Sequence, residues 1–325
     1  MKFAVTGASG HIGANLCRTL IEQGHHVKVL INNYSKSLDQ LDVQVIKGNM
    51  LDANSLTNLI SDSEIVIHLA ATISINGRTD KDLLAINVEG TGNLLNCIRE
   101  YPVRRLIHFS SIHAIVHEPI DSPLDETREL ALEDHILYNK SKAISEKMVL
   151  EAAEDGIDAV IINPTSVVGP YDFRPSLMGK ALLQIVNKKL PGLVTGGYDW
   201  VDVRDVVDGT IKAIDRGRSG QSYLLSGTWM SLPDLAKLIG NLTGDQPNWK
   251  IIPYWLAELG VPFLKAYARI RGSDPLYTRE SLEILKTSHR MISSGKAKKE
   301  LGYHSRPLEE TIRDTLEWFR TNGYL

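Results

Sequence analysis

The sequence is poor in several features that mark other classes of protein. Only two of its 325 residues are cysteines, Cys17 and Cys97, which is too few for a disulfide framework or a cysteine-rich metal site. No apolar run approaches the roughly 18 residues that a membrane span needs. The formal net charge is only -3, so no large basic field is available to hold nucleic acid. The sequence therefore predicts neither a membrane nor a nucleic-acid partner.

The composition that remains is typical of a globular protein. Hydrophobic residues make up 43% of the chain and charged residues 23%. The length predicts one large or two ordinary domains. Met1 and Lys2 lead directly into an apolar segment without a secretory signal, and both cysteines fall in predicted amphipathic helices. We therefore expect a cytoplasmic protein with reduced cysteines.

Short β-branched runs alternate with helical periodicity through the first half of the chain. The predicted strands are residues 3–6, 26–31, 43–47, 65–70, 106–110 and 159–163. Helices between successive strands require right-handed crossovers, and therefore a parallel sheet that is covered on both faces. This pattern predicts an α/β protein with a doubly wound parallel sheet, the Rossmann fold.

The alternation breaks after Pro170 and returns with a predicted helix at 206–214 and a strand at 222–226. The C-terminal hundred residues show mainly helical periodicity, for which we expect packing and a substrate lid. The predicted domains are a dinucleotide-binding domain of residues 1–170 and 201–227 and a smaller, mainly helical substrate domain of residues 171–200 and 228–325.

Three glycines follow the first predicted strand, where the next helix opens. Gly7 allows a tight turn, Gly10 lets a pyrophosphate approach the backbone, and Gly13 permits close packing of helix against strand. The N-terminus of the helix faces the anion. The pattern predicts a dinucleotide site, with a glycine turn that binds no ligand as the alternative.

The spacing Gly-x-x-Gly-x-x-Gly resembles that of the extended branch of the short-chain dehydrogenase/reductase superfamily. Further matching segments cover nearly the whole chain: His68-Leu69-Ala70-Ala71, Asn87-Val88-Glu89-Gly90-Thr91, Tyr138-Asn139-Lys140-Ser141-Lys142, Asn163-Pro164-Thr165, Gly169-Pro170 and Val201-Asp202-Val203-Arg204-Asp205-Val206. Within the superfamily, the chain most resembles dihydroflavonol-reductase-like proteins and their relatives among the nucleoside-diphosphate-sugar epimerases.

The predicted catalytic residues are Ser111, Tyr138 and Lys142. Ser111 ends the fifth predicted strand, at the edge where such sheets bind ligands. Tyr138 and Lys142 are four residues apart and share a helix face. Because a free phenol has a pKa of about 10, we expect the Lys142 ammonium to favour the phenolate. Ser111 would then bind the substrate oxygen while Tyr138 gives or takes its proton, and the resemblance implies that Lys142 also holds the nicotinamide ribose.

The segment after the second strand bears on the choice of cofactor. It lacks the acidic residue that binds the ribose of NAD, whereas Asn32, Ser35 and Lys36 would accept a 2'-phosphate. We expect NADP, with NAD as the alternative. The predicted cofactor-binding residues are Gly7, Ser9, Gly10, His11, Ile12, Gly13, Asn32, Lys36, Asn49, Met50, Leu69, Ala70, Ala71, Asn87, Tyr138, Lys142, Pro164 and Ser166. In the family Asn87 also shapes the active-site helix, and the alternative is an ordinary helix-start asparagine.

Two departures from the family separate the candidate reactions. Ile112-His113 stands where sugar-nucleotide dehydratases carry Asp-Glu, and Tyr198-Asp199 where many epimerases carry an Arg-Asp pair whose Arg helps hold the diphosphate. Arg174 or Lys180 would have to replace that arginine. We therefore predict NADPH-dependent reduction of a carbonyl on a small to medium, partly apolar substrate. The alternatives are an NAD-dependent nucleotide-sugar epimerase and a non-catalytic binding protein.

Three further expectations concern His113, metals and assembly. A lone histidine after a strand is more often a polar pocket wall than a catalyst, and His113 is predicted to be such a wall. The ten histidines show no ligand spacing, so no metal site is predicted. The family resemblance implies a homodimer through helices near Leu94, Leu95 and Ile144, unless these faces simply cover the sheet.

Overall fold

The computed structural model describes residues 1–33, 36–73, 80–190, 192–245, 248–271 and 277–325, and only the backbone of Asp80 and of residues 264–271. Its central sheet has seven strands: β1 (Lys2–Thr6), β2 (His26–Ile31), β3 (Val43–Lys47), β4 (Ile65–His68), β5 (Arg105–Phe109), β6 (Ala159–Pro164) and β10 (Gln221–Leu225). They run parallel in the order β10-β6-β5-β4-β1-β2-β3. This arrangement confirms the predicted doubly wound fold, and each predicted strand lies within two residues of its observed bounds.

Helices cover both faces of this sheet. The helices are α1 (His11–Glu22), α2 (Ala53–Ile60), α3 (Asp80–Leu84), α4 (Gly90–Glu100), α5 (Leu137–Glu154), α6 (Leu177–Val186), α7 (Val203–Arg216), α8 (Leu232–Thr243), α9 (Tyr254–Arg271), α10 (Arg279–Lys286), α11 (Gly295–Leu301) and α12 (Leu308–Thr321). Side chains alternate along β1, so Phe3 and Val5 belong to the apolar layer that contains Leu16 of α1 and Val206 of α7. Ala4 belongs to the opposite layer, which contains Leu94 of α4.

The remaining strands lie outside the central sheet. Strands β7 (Ser166–Val168), β9 (Gly197–Asp202) and β11 (Thr228–Ser231) form a three-stranded sheet, and β8 (Leu193–Val194) pairs with β12 (Ile251–Ile252). The chain thus leaves the main sheet after Pro164 and returns to it with β10. The domain boundaries stay a prediction.

A separate apolar core joins these strands to the C-terminal helices. Helix α12 has the predicted apolar face, because Leu308, Ile312, Leu316 and Phe319 are all buried. None of the described helices is both long enough and apolar enough to cross a membrane.

The residues expected near a dimer interface have different environments. Leu94 and Leu95 are 0% and 2% exposed and belong to the layer that covers the sheet, so they form no surface for a second copy. Ile144 on α5 is half-buried. The alternative that these apolar faces simply cover the sheet is therefore correct for the two leucines. The homodimer itself stays a prediction.

Candidate active site

The glycine turn lies between the end of β1 and the start of α1. Gly7 has a φ of +69°, and a Cβ there would come within 2.6 Å of the Ala70 backbone nitrogen. A Cβ on Gly13 would lie 2.3 Å from the Gly7 carbonyl oxygen, so this glycine lets the helix pack against the turn itself rather than against a strand. At Gly10 the nearest contact is a milder 3.3 Å. The protein's own packing therefore explains glycine at positions 7 and 13 better than at position 10.

The geometry of this turn fits the pyrophosphate of a dinucleotide. Gly10 is exposed and begins α1 without a side-chain cap, so among the described residues no side chain occupies the first backbone N–H groups of the helix. Open N–H groups and the helix dipole together favour an anion at this place. The turn also lies where β1 and β4 are neighbours in the sheet, the point at which doubly wound folds bind their ligands.

Ser111, Tyr138 and Lys142 come together at the carboxyl end of β5. Ser111 caps the short 3-10 helix Ile112–Ala114, and its hydroxyl lies close enough to Tyr138 on α5 to lower the pKa of that phenol. The Lys142 Nζ donates to the backbone carbonyl oxygen of Phe109 at 2.6 Å. All three residues line one cavity of about 330 Å³ together with the glycine turn.

Burial favours the protonated form of Tyr138. It raises the pKa of Tyr138, and an interaction with the Ser111 hydroxyl lowers this pKa to a smaller extent. The Lys142 ammonium donates to the Phe109 carbonyl oxygen. Tyr138 is therefore a protonated phenol at neutral pH in the protein alone, and the expected stabilisation of the phenolate by Lys142 stays a prediction.

Lys142 lies in a buried and weakly charged environment. Burial lowers its pKa to about 8, and the charge of Glu146 acts in the opposite direction. Burial and the charge of Lys142 in turn lower the pKa values of His68 and His108, so these neighbouring imidazoles are neutral. Lys142 therefore loses its proton more easily than an exposed lysine.

Two buried residues lie behind the site, of which the sequence analysis missed Glu146 and named Asn163 only as part of a segment that resembles the family. Glu146 is 2% exposed and accepts hydrogen bonds from Asn163 Nδ2 and Ser222 Oγ, each at 2.8 Å. Asn163 also donates to the Ser111 carbonyl oxygen at 3.1 Å. A signal for Glu146 was present, because it continues the four-residue spacing of Tyr138 and Lys142 along α5. Nothing in the sequence indicated the partners from β6 and β10.

The cavity contains many of the predicted cofactor-binding residues. Those that line it are Gly7, Gly10, His11, Ile12, Gly13, Leu69, Ala71, Tyr138, Lys142, Pro164 and Ser166. Those outside its lining are Ser9, Asn32, Lys36, Asn49, Met50, Ala70 and Asn87. Three of these lie near the turn: Ser9 is part of it, and Asn32 and Lys36 are exposed just beyond β2. The Ser37 hydroxyl donates to the Ser9 carbonyl oxygen at 3.1 Å and so places Lys36 beside the turn. Ser35 lies outside the described residues.

Asn87 and Met50 have structural partners instead of cavity positions. Asn87 is not at a helix start but in the π-helical turn Ala85–Glu89. Its Oδ1 accepts from the Thr72 backbone nitrogen at 2.7 Å, and its Nδ2 donates to the Thr72 carbonyl oxygen and to Ser141 Oγ. This side chain ties the loop after β4 to α5, next to Lys142, as the expected shaping role requires. The Met50 side chain is buried against Gly90, and Asn49 Oδ1 accepts from the Leu51 backbone nitrogen.

A larger cavity of about 650 Å³ adjoins the first one and shares His113, Ile136, Thr165, Ser166 and Ile284 with it. Its wall includes six carboxylate residues: Glu118, Glu129, Glu133, Asp134, Asp199 and Glu283. No lysine or arginine is among the described residues of this wall. Burial lowers the pKa of His113 to about 3 and also lowers that of His117. These two imidazoles of the wall are therefore uncharged at neutral pH.

Several smaller expectations can be compared with this cavity. Helix α10 contributes to both cavities, which agrees with a covering role for the C-terminal region. Asp199 accepts from Thr165 Oγ1 and the Gly227 backbone nitrogen, each at 2.7 Å. Neither Arg174 nor Lys180 lines either cavity. Within the described part of the chain, no three His, Cys, Asp or Glu residues are grouped as metal ligands.

Comparison with known proteins identifies the family. A model of the NAD dependent epimerase/dehydratase family matches residues 3–226, more than half of the chain. The chain belongs to this family. It is therefore an NAD(P)-dependent enzyme of the extended short-chain dehydrogenase/reductase superfamily, as the sequence motifs implied.

Full-length relatives of this family member include both curated proteins and solved structures. The chain is 33% identical to "Sterol demethylase protein B" of Methylococcus capsulatus, with 100% of both chains covered. It is 30% identical to "Putative dihydroflavonol 4-reductase" of Synechocystis, with 99% of this chain and 96% of the relative covered. The crystal structure of gox2253 has 31% identity and a TM-score of 0.86, and covers 100% of this chain and 99% of its own.

Proposed function

We propose that this protein is a carbonyl reductase that acts on an uncharged substrate, prefers NADPH, and uses Ser111, Tyr138 and Lys142. The observation that carries the proposal is the larger cavity beside Tyr138, whose described wall has six carboxylate residues and neither lysine nor arginine. A nucleotide sugar carries a diphosphate, which would meet repulsion instead of the usual cationic partners there. A neutral ketone or aldehyde meets no such penalty.

The proposed roles follow from where the groups lie. Ser111 Oγ and the Tyr138 hydroxyl, which line the same cavity, would both donate to the carbonyl oxygen and orient it. The reduced nicotinamide, when bound, would supply the hydride for the new C–H bond and would be oxidised as the carbonyl π bond breaks. The Tyr138 proton moves to the oxygen and completes the alcohol. Burial keeps this proton on Tyr138 before reaction, which suits the reductive direction.

The cofactor would be held by the glycine turn and by the loop after β4. Gly10 and the first turn of α1 would face the pyrophosphate, and Lys142 would hold the nicotinamide ribose. Lys36 and Asn32 would face the 2'-phosphate, because neither side chain repels it and Lys36 attracts it. The Asp or Glu that binds the ribose of NAD is missing at this place.

The names of the relatives support an uncharged substrate. One relative is named for a sterol and the other for a dihydroflavonol, both classes of molecule without a phosphate group. The epimerase alternative requires a diphosphate site. No described residue of either cavity wall other than Lys142 is a lysine or arginine that would serve it.

The test is a panel of uncharged ketones and aldehydes with NADPH and NADH, followed by the absorbance of the reduced nicotinamide. UDP-glucose and dTDP-glucose with NAD serve as the epimerase arm. We expect oxidation of NADPH by at least one carbonyl compound and no reaction of the nucleotide sugars. Turnover of a nucleotide sugar, or protein that purifies with NAD already bound, would favour the epimerase.

Tyr138→Phe tests the proton donor. The variant should bind NADPH as tightly as the wild type, because the ring remains, but should lose turnover about a hundredfold or more. Tyr171→Phe is a matched control, because Tyr171 lines neither cavity. Wild-type turnover by the Tyr138 variant would contradict the proposed role.

A further inference from the structure

His113 occupies the boundary between the two cavities. Its ring is 6.3 Å from the Tyr138 ring between centroids, in an edge-on orientation. Its backbone nitrogen donates to Ser111 Oγ at 3.2 Å. It lines both the cavity of the reacting residues and the larger one. Any substrate whose carbonyl lies between Ser111 and Tyr138 and whose body fills the larger cavity must pass this ring.

The protein itself leaves the polar atoms of this ring unused. Neither ring nitrogen of His113 is hydrogen-bonded to a described residue, whereas the neighbouring His117 donates from Nε2 to the Ile112 carbonyl oxygen at 3.2 Å. The His117 ring stacks on that of His113, with centroids 5.6 Å apart and planes inclined by 17°. This stacking holds the His113 ring in place without consuming its donor or its acceptor.

A neutral imidazole has one N–H donor and one nitrogen acceptor. Burial lowers the pKa of His113 to about 3, so the ring keeps this neutral form at physiological pH and has no acidic proton to give. It therefore suits recognition of an uncharged oxygen better than proton transfer. A hydroxyl group is a matched partner, because it can accept from the ring and donate to it.

We infer that His113 is the specificity-determining residue of the substrate site and hydrogen-bonds an uncharged oxygen substituent next to the reacting carbonyl. The inference rests on the proposed function, because the position of the carbonyl is set by Ser111 and Tyr138. The substrate class is then an uncharged ketone or aldehyde with a hydroxyl or ether oxygen on the adjacent carbon. His117 positions the ring through the stacked contact.

The test compares matched pairs of substrates, such as benzoin and deoxybenzoin together with smaller and larger α-hydroxyketones and their deoxy analogues. The ratio of kcat/KM within each pair isolates the added oxygen. One hydrogen bond predicts a preference of about tenfold for the hydroxylated member in the wild type. In His113→Phe, which keeps an aromatic ring against His117 and Tyr138, this ratio should fall to about one.

Two further variants separate recognition from structure. His113→Gln keeps a donor and an acceptor and should restore part of the ratio, whereas His304→Phe, at an exposed position outside both cavities, should leave it unchanged. A tenfold ratio that persists in His113→Phe overturns the inference, and so does a wild-type ratio of one; in either case the reductase function still holds. A wild-type enzyme that reduces none of these ketones, but acts on nucleotide sugars, refutes the proposed function itself.

Discussion

Glu146→Gln should move the alkaline limit of activity to lower pH. Lys142 is 4% exposed, and its pKa, lowered by burial to about 8, is raised in part by the negative charge of Glu146 one helical turn away. The Lys142 charge is present below this pKa and is lost as the pH rises through it. Removing the carboxylate charge lowers the pKa of Lys142 further, so the charge is lost at a lower pH.

The size of the shift follows from the helix geometry. Side chains four residues apart lie about 6 Å from each other, and at an effective dielectric constant of about 20 two unit charges at that distance interact by about 3 kcal/mol. This energy corresponds to about 2 pKa units. The alkaline limit should therefore move from about pH 8 towards pH 6, as an upper bound, because Glu146 and Lys142 make no direct ion pair among the described contacts.

The assay is kcat/KM for NADPH as a function of pH, which reports groups of the free enzyme. Glutamine can still accept from Asn163 Nδ2 and can donate to Ser222 Oγ, so both hydrogen bonds of Glu146 have a replacement. Ser222→Ala is the control, because it removes one of these bonds without a change of charge, and its pH profile should match the wild type. A folded Glu146→Gln enzyme with an unchanged alkaline limit would refute the reasoning.

Three other predictions use different measurements. Lys36→Ala should weaken NADPH binding about tenfold or more in a fluorescence titration and leave NADH binding nearly unchanged, because only NADPH carries the 2'-phosphate. The control Lys299→Ala, at an exposed position, should affect the binding of neither cofactor. Equal losses of affinity for both cofactors in Lys36→Ala would contradict the assignment of Lys36 to the 2'-phosphate. Gly13→Ala should lower the free energy of unfolding by about 1 to 3 kcal/mol in urea, because its Cβ would lie 2.3 Å from the Gly7 oxygen. Gly10→Ala should leave stability nearly unchanged and weaken cofactor binding instead, so a reversed order would argue against an anion at Gly10. The homodimer expected from the family should give twice the monomer mass in light scattering, and a monomer mass independent of concentration would reject it.

Much of the fold was predictable because it depends on local patterns. Strand and helix periodicities alternate clearly along residues 1–165, and a helix between two parallel strands allows one handedness of crossover. The three glycines and the pair Tyr138 and Lys142 were readable for the same reason, since each motif lies within one turn or one helix. The predicted strand 65–70 ends at His68 in the structure, and two residues later the Ala70 backbone nitrogen donates to the Thr6 side-chain hydroxyl instead of to a strand carbonyl.

The site was less predictable where it depends on contacts between distant segments. The polar network behind Lys142 joins Glu146 on α5 to Asn163 on β6 and Ser222 on β10, and no spacing in the sequence indicates that these residues meet. The same holds for Asn87, whose amide joins Thr72 to Ser141. Burial also acts on the electrostatics of the site, because it raises the pKa of Tyr138 while the Lys142 ammonium donates to a backbone carbonyl.

The sequence by itself determined the parallel sheet, the dinucleotide turn and the identity of the candidate catalytic residues, because these follow from periodicity and from short motifs with a fixed local geometry. Only the tertiary structure brings the carboxylate residues of the larger cavity together. The wall of this cavity takes residues from the segments 112–118 and 129–139, from Thr165 and Ser166, from Tyr198 and Asp199, and from the segment 283–292, which are far apart in the chain. Desolvation, which makes His113 neutral and keeps the proton on Tyr138, is likewise a property of the folded interior and has no counterpart in the linear sequence.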